Sequence, residues 1–136
     1  TASLSNGQAV IWDYATDADG VGVTLPTAGA VRAGHVGTAF AGIATETIAA
    51  SDYGLIQVYG YHSATRVRSQ SGGTPAIVAG TALTCTDSTV FALHSFEPST
   101  LATSTLTVHN AHWCGFALAA QASWTTKAIA VFIKAL

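Results

Sequence analysis

Residues 40–60, FAGIATETIAASDYGLIQVYG, carry the pattern that decides the fold. An apolar segment passes through a glycine, and a turn region rich in Ala, Thr and Ser leads into a second apolar segment whose side chains alternate. Because successive residues of a strand point to opposite faces, Ile56 and Val58 share one face. Leu55 and Tyr59 lie on the other face, so both faces carry apolar groups. The segment therefore predicts a β-strand that is covered on both sides.

The same pattern returns 73 residues further along the chain. The letters WCGFA, starting at Trp113, align with FAGIA, starting at Phe40. In the same register, Ile129 and Val131 align with the isoleucine and valine that share a face in the first copy. We interpret the match as a structural repeat, because aromatic and β-branched positions coincide as well as alanines. Chance is the alternative, since Ala and Thr are so common here that matches between them carry little information.

The repeat predicts two similar strand–turn–strand units, 40–59 and 113–132, whose aligned isoleucine and valine side chains face one shared core. Both units belong to a single β domain that spans 15–136, because a chain of 136 residues fits one domain. Residues 1–14 are interpreted either as an N-terminal arm or as the first strand of that domain.

Turn signals recur about every ten residues along the chain, between short segments whose apolar side chains alternate. This spacing predicts an all-β fold, either a small β-barrel or a β-sandwich, with an extended N-terminal segment. The stretch 116–122 is rich in Ala and Leu, which are strong helix formers. A short helix therefore remains open near 116–122.

Charged residues make up only 9% of the chain, against about 25% in ordinary globular proteins. A surface made mainly of Thr, Ser, Gly and Ala is poorly protected against association. Two interpretations stay open: a protein that works packed against neighbours, and an uncharged β domain that works alone.

The cationic residues are scattered and the net charge is −2, so nucleic-acid binding is not expected, because it needs clustered cations. No apolar run reaches about 18 residues, so no membrane contact through a spanning helix is expected.

No pattern in the sequence indicates an enzyme, and we predict no catalytic residue, no cofactor and no metal. The chain has no nucleophile elbow and no glycine-rich phosphate loop. Two groups of side chains match metal ligands in type but not in spacing. Their members are His94, His109, His112 and Cys114 in the first group, and Asp13, Asp17 and Asp19 in the second. We interpret the histidines as hydrogen-bonded polar groups at strand ends and the aspartates as turn caps.

The two cysteines, Cys85 and Cys114, are far apart in the sequence, so neither a zinc ribbon nor a thioredoxin-like site is indicated. Both lie in apolar, strand-like segments, which favours buried free thiols. A disulfide between them stays open, because it needs Cα atoms within about 7 Å and the sequence does not give that distance.

Aromatic side chains are numerous for a chain with so few charges. Tyr and Trp suit interfaces because each combines a large apolar area with one polar group. Trp12 and Trp113 also fit core positions, while Tyr61 and Trp124 lie in or beside turns. In residues 1–14 an apolar segment follows polar residues, as in an arm that anchors in a neighbour's groove or sheet edge. We predict contacts with other molecules at six residues: Leu4, Val10, Trp12, Tyr14, Tyr61 and Trp124.

Three stretches resemble the small decoration, or cement, proteins of tailed-phage heads. They are residues 40–60, the sequence PAIVAGTAL at 75–83, and CGFAL at 114–118 followed by AVFIK at 130–134. The likeness lies in the order and spacing of these stretches and in a style of β-domain, and it includes no active-site signature.

The resemblance implies a β-rich, homotrimeric domain on the outer capsid surface of the virion, assembled in the host cytoplasm. Its partners would be the major capsid protein and further copies of itself, and it would stabilise contacts between capsomers against the pressure of packaged DNA. The alternative is a fibre or tail module that contacts carbohydrate or a host receptor. Exposed Tyr and Trp side chains along a groove would favour the module, whereas a flat apolar face and an N-terminal arm would favour the decoration protein.

Overall fold

The protein is represented by a computed structural model, which describes residues 3–14, 17, 20–26, 39–69, 76–85, 92–95, 113–121 and 125–135. These residues form nine β-strands and no helix. The strands are β1 (Ala9–Trp12), β2 (Val23–Thr24), β3 (Phe40–Ala44), β4 (Ile56–Gln57), β5 (Tyr59–Arg68), β6 (Ala82–Cys85), β7 (Leu93–Ser95), β8 (Gly115–Ala117) and β9 (Lys127–Lys134). They build a four-stranded antiparallel sheet in the order β2-β1-β3-β4 and a closed barrel in the order β5-β7-β6-β8-β9. The predicted all-β class with a small barrel is confirmed.

Strands β1 and β3 form the middle of the sheet, and β3 is buried along its whole length. Their side chains alternate between two separate hydrophobic clusters. Ala9, Ile11 and Ile43 belong to the first cluster, and Val10 and Ala44 belong to the second. The sheet is therefore covered on both faces, which explains the continuous apolar sequence of β3.

The first cluster fills the barrel and joins it to one face of the sheet. Large, fully buried side chains come from four barrel strands: Val67 from β5, Leu83 from β6, Leu93 from β7, and Val131 and Ile133 from β9. Burying each such side chain contributes about 1.5–3 kcal/mol. The barrel interior and the sheet thus share one core.

The second cluster covers the other face of the sheet. Its buried members include Leu4, Leu25 and Ile48, with Ile56 of β4 packed against them. Leu4 and Ile48 form an isolated β-bridge in which each N–H donates to the other residue's carbonyl, at 2.9 and 3.0 Å. The chain before β1 is thereby attached to the sheet.

Gly7 connects the sheet to the barrel. Its N–H donates to the carbonyl of Ala44 in β3, and its carbonyl accepts from the N–H of Arg66 in β5, both at 2.8 Å. The register of β5 against β9 shifts between residues 62 and 65, next to this contact. Gly7 has a φ of +80°, and a Cβ there would collide with the carbonyl oxygen of Ala64. Only glycine allows so close an approach in this conformation.

The chain crosses from the sheet into the barrel at a single residue, Val58, which separates β4 from β5. Its carbonyl accepts a hydrogen bond from the N–H of Ala135 at 2.8 Å. The prediction of one strand covered on both sides is wrong here, because Leu55, Tyr59 and Tyr61 are exposed. After the crossing, the outer face of the barrel strand has no second layer among the described residues.

The two similar segments share a local feature at their aligned glycines. Gly42 of β3 and Gly115 of β8 have φ values of +146° and +154°. A Cβ on Gly42 would collide with the carbonyl oxygen of Gln57, and one on Gly115 with that of Phe132. In both copies the glycine lets its strand lie close to the backbone of the strand that follows in the unit.

The surroundings of the two segments nevertheless differ. Segment 40–59 contributes to the sheet, whereas segment 113–132 contributes to the barrel. The prediction that the aligned side chains face one shared core is wrong. Ile56 packs on the second cluster, Ile129 and Val131 belong with the first, and Val58 is 38% exposed.

The N-terminal part of the chain, over residues 3–14, includes the first strand of the sheet, with β1 between β2 and β3. Near 116–122, where the composition allows a short helix, β8 ends at Ala117 and Gln121 forms an isolated bridge with Ile77. The described residues 116–121 are thus not helical, because Ala117 pairs with Val131 and satisfies the β-ladder instead.

Candidate functional site

A row of aromatic side chains crosses three neighbouring strands on the outside of the barrel. Tyr61 of β5 lies opposite Phe132 of β9, which lies opposite Phe116 of β8. The rings of Phe116 and Phe132 stack with their centroids 5.2 Å apart and an interplanar angle of 11°. Tyr59 meets Phe132 edge-on, also with 5.2 Å between centroids. Contacts of this kind contribute about 0.5–1.5 kcal/mol each, so the rings hold one another in position.

A second row lies beside the first, on β5 and β9 and at Trp113, two residues before β8. Tyr59 of β5 is opposite Lys134 of β9, and the Lys134 Nζ lies 4.6 Å from the ring centroid of Trp113. This distance permits a cation–π interaction. We call the six residues of the two rows the aromatic face: Tyr59, Tyr61, Trp113, Phe116, Phe132 and Lys134.

The aromatic face is open to solvent. Tyr61 is 62% exposed and Trp113 is 45% exposed, while Phe116 and Phe132 are half-buried. Lys134 carries the one formal charge of these six residues. Interface cores are rich in aromatic residues and poor in charge, and contiguous exposed apolar patches mark contact sites. The aromatic face is therefore suited to packing against another protein surface.

A cleft of about 650 Å³ lies over the second hydrophobic cluster. Buried Leu4 and Ile48 line its floor, and exposed Trp12 and Tyr53 line its rim. Its volume falls within the 300–1,000 Å³ that is usual for ligand pockets. Three aspartates are also among its lining residues: Asp13, Asp17 and Asp52. We call this feature the acidic cleft.

Hydrogen bonds fix the backbone around the acidic cleft. The N–H of Asp13 donates to the carbonyl of Gly22 at 2.9 Å, and the carboxylate of Asp17 accepts from the N–H of Gly22. Across the cleft, Oδ1 of Asp52 accepts from the N–H of Tyr53 at 2.9 Å. The role of Asp17 as a turn cap is confirmed.

The six predicted contact residues fall into three groups. Leu4 and Val10 are buried in the second hydrophobic cluster of the chain itself, so neither projects from the chain as an anchor for a neighbour. Trp12, Tyr14 and Tyr61 are exposed, Trp12 in the acidic cleft and Tyr61 in the aromatic face. Trp124 lies outside the described residues.

Several residues of the two surfaces are not predicted from the sequence. Trp113 was expected to fit a core position, which is wrong, and Phe132, Lys134 and Tyr53 were not selected. For Phe132 and Lys134, the alternation of side-chain directions along a strand indicates an outward position. In β9, Phe132 and Lys134 alternate with the buried Val131 and must point outwards. Nothing in the local sequence indicates that Tyr53, which is 93% exposed, stands beside a cleft.

The metal-like groups of the sequence are not assembled within the described residues, where no three His, Cys, Asp or Glu side chains are placed to hold an ion. His109, His112 and Asp19 lie outside those residues. In the part of the chain that the structure describes, no helix is long and apolar enough to cross a membrane.

The two cysteines are free and buried, as predicted. The N–H of Cys85 donates to the Sγ of Cys114 at 3.3 Å. Burial raises the pKa of the Cys114 thiol to about 12, since desolvation disfavours the thiolate. Close proximity alone therefore does not make this pair reactive, because the thiolate is the nucleophile.

We predict that Cys114 does not react with Ellman's reagent at pH 8 in the folded protein. With a pKa of about 12, only about one thiol in ten thousand is ionised at that pH, and the sulfur is also shielded. Two thiols per chain should be released in guanidinium chloride, which serves as the control. Rapid titration of Cys114 in the native protein, identified by mass spectrometry, would contradict the burial.

The aromatic face and the acidic cleft are separate features of one fold. The aromatic face lies on and beside β5, β8 and β9 of the barrel, and the acidic cleft lies over the second hydrophobic cluster. Comparison of the chain with protein-family models, with curated proteins and with solved structures finds no match.

Proposed function

We propose that the chain is a non-enzymatic capsid decoration protein, which binds the outside of a phage head as a homotrimer and stabilises contacts between capsomers. The observation that carries the proposal is the aromatic face, on which two stacked phenylalanines are flanked by exposed Tyr and Trp side chains. The resemblance of residues 40–60, 75–83, and 114–118 with 130–134 to decoration proteins supports the same function.

The chemistry of the aromatic face suits a stabilising clamp. Aromatic anchors dominate the binding energy of protein interfaces, because each buries a large area at a small entropic cost. The low charge of the chain, 9%, keeps the desolvation cost of such a contact small. A contact of about 800 Å² per partner suffices for a specific interface. Linking several such contacts through a trimer strengthens attachment further without any new contact type.

The aromatic face takes the place of the N-terminal arm in this proposal. The predicted arm would be anchored by Leu4 and Val10, but both side chains are buried in the chain's own second hydrophobic cluster. Of the two features that would favour a decoration protein, an exposed apolar face on the barrel remains. We therefore assign attachment to Tyr59, Tyr61 and Trp113.

The expected result for Tyr61→Glu is loss of assembly with the fold intact. The wild-type chain should elute at about three times its mass of 13.8 kDa in size-exclusion chromatography with light scattering. It should also co-sediment with heads of the encoding phage that lack this protein. A carboxylate at position 61 must be desolvated in the contact, so the variant should be monomeric and bind heads at least tenfold less well.

Tyr53→Glu is the matched control, because Tyr53 is also an exposed tyrosine but lies in the acidic cleft. It should assemble like the wild type, and both variants should have wild-type circular dichroism. A monomeric wild-type chain, or head binding that survives Tyr61→Glu, would contradict the proposal.

The second candidate function is a fibre or tail module that contacts carbohydrate or a host receptor. It is favoured by the acidic cleft, where exposed Trp12 and Tyr53 line a concave surface. A reconstruction of virions labelled with antibody against the chain separates the two functions. Label on the shell supports decoration, and label on a fibre or tail supports the module.

A further inference from the structure

We infer that copies of the chain join head to tail by pairing two strand edges: the edge of β5 that faces away from β9 in one copy, and the outer edge of β2 in the next. The inference rests on the proposed homotrimer and names the contact that builds it. Three observations carry it, which are the free edge of β5, the free edge of β2 and the separation of charge between barrel and sheet.

The first free edge lies at the beginning of β5. The N–H of Ala135 donates to the carbonyl of Val58, so the backbone groups of Tyr59 and Tyr61 point away from β9 in this antiparallel ladder. Strand β7 meets β5 only at the other end of β5. In the part of the chain that the structure describes, no acceptor meets the N–H of Tyr61. This edge is therefore open to a further strand.

The side chain of Gln57 occupies part of the β5 edge. Its Nε2 donates to the carbonyl of Tyr59 at 3.1 Å and to that of Tyr61 at 2.8 Å. An added strand would bond the same two carbonyls through its own N–H groups. A side-chain amide offers the same kind of donor as a peptide N–H, but it sits on a chain that can rotate away. Gln57 thus satisfies the edge in the absence of a strand and leaves room for one to replace it.

The second free edge is the outer edge of β2, which has β1 as its one neighbour in the sheet. The N–H of Asp13 donates to the carbonyl of Gly22, and Val23 lies opposite Trp12 in the same ladder. The N–H and carbonyl of Val23 therefore point away from β1. No described residue forms a hydrogen bond with either group. Val21, which precedes this strand, is 72% exposed, so an apolar side chain flanks the edge.

Charge selects a second copy as the occupant and a head-to-tail arrangement. Within the described residues, all Lys and Arg side chains lie on β5 and β9: Arg66, Arg68, Lys127 and Lys134. All described Asp and Glu side chains lie in the connections between sheet strands: Asp13, Asp17, Glu46 and Asp52. Pairing β5 with β5 of a second copy would bring two cationic edges together. Pairing β5 with β2 brings surfaces of opposite sign together, which favours the correct partner and orientation.

A head-to-tail contact also accounts for a closed ring. Each copy gives one edge and receives another, so every contact repeats the same rotation, and three copies close when that rotation is about 120°. Tyr61 of one copy then lies beside Val23 of the next. Cross-strand pairs of an aromatic and a β-branched residue stabilise sheets. The free edge of β5 and the exposed tyrosines of the aromatic face thereby act in one contact.

The test blocks the β2 edge through its backbone. Val23→Pro removes the outward N–H but no ladder bond to β1, and proline is tolerated on edge strands in this orientation. The variant should keep the wild-type circular dichroism and associate at least tenfold more weakly in sedimentation equilibrium. Val23→Ala is the matched control, since it also shortens the side chain but keeps the N–H, and it should assemble like the wild type. If Val23→Pro does not fold, Val21→Pro blocks the same edge at an exposed residue.

A mixture of two blocked variants tests the head-to-tail arrangement. Val23→Pro retains the edge of β5, and Tyr61→Glu retains the edge of β2. Each variant alone should be monomeric, whereas an equimolar mixture should form a dimer of about twice the 13.8 kDa of one chain. A mixture that stays monomeric would overturn the inference. So would self-association of either variant, because a two-fold contact between like edges leaves one of them able to dimerise.

Gln57→Ala tests the β5 edge from the other side. It removes the amide that an added strand must displace, so the variant should form trimers at least threefold more tightly than the wild type. Weaker assembly would show that the amide belongs to the contact, and would contradict a strand at this edge.

The outcomes separate this inference from the decoration function. A wild-type trimer that survives Val23→Pro would overturn strand pairing and leave binding to phage heads untouched. A trimer that needs both edges but does not co-sediment with heads would support strand pairing and overturn decoration.

Discussion

Val131→Asp is expected to leave the protein unfolded, whereas Val58→Asp is expected to fold. Val131 has no solvent exposure and lies in the first hydrophobic cluster, between Ala117 of β8 and His62 of β5. An ionised carboxylate without a partner at such a site costs about as much as the whole stability of a small domain, which is 5–15 kcal/mol. Val58 is 38% exposed, so a carboxylate there reaches water.

Thermal unfolding followed by circular dichroism measures both variants, and size-exclusion chromatography detects aggregation. Val131→Ala serves as the intermediate case, because it removes volume without adding charge and should lower stability by about 1–3 kcal/mol. If Val131→Asp melts cooperatively near the wild-type temperature, the barrel interior is not the core described here. If Val58→Asp unfolds the chain, the crossing between sheet and barrel is more tightly packed than its exposure indicates.

Deletion of residues 1–8 is expected to destabilise the fold by about 5 kcal/mol or more, instead of removing an attachment arm. The deletion removes five backbone hydrogen bonds, which join residues 4, 7 and 8 to Ile48, β3 and β5. It also exposes the apolar surface that Leu4 covers. Each lost bond leaves a partner unsatisfied at about 1–3 kcal/mol where it is buried, and the lost burial adds about 1.5–3 kcal/mol.

The measurement is the free energy of unfolding in urea, compared with a chain that lacks only residues 1 and 2. That shorter deletion retains all five hydrogen bonds and should be as stable as the wild type. Gly7→Ala keeps the chain length but places a methyl group against the carbonyl of Ala64, and it should lose part of the stability. If the chain without residues 1–8 keeps the wild-type stability and loses only its assembly, residues 1–14 act as an attachment arm after all.

The class of fold could be predicted because the alternation of side chains between the two faces of a strand depends only on the local sequence. The alternation of Ile129, Val131 and Ile133 places them on one face of β9 whatever the strand pairs with. The partner of each strand is not local. Ala44 pairs with Ile56, but the aligned Ala117 pairs with Val131, two residues beyond the aligned position. The two copies therefore share a glycine conformation and still belong to different layers.

The surfaces were predicted less well than the fold, for a related reason. Tyr61 could be selected because it follows a glycine near a turn, but its neighbours Phe116 and Phe132 come from strands more than 50 residues further along the chain. An exposed aromatic face exists only after the barrel closes. Likewise, Trp12 and Asp52 meet at one cleft through the pairing of β1 with β3, which no short window of sequence contains.

The closure of the barrel has a consequence for the rate at which the chain folds. Strand β5 pairs with β9 through seven residue pairs, and the first of these joins Tyr59 to Lys134 across most of the chain. Contacts between residues so distant in sequence require a large loop to close before any ladder bond forms, so we expect refolding on the millisecond-to-second scale. Before β9 pairs with β5, the backbone groups along that edge of β5 have no partners. A newly made chain can then either close its own barrel or pair through this edge with another chain.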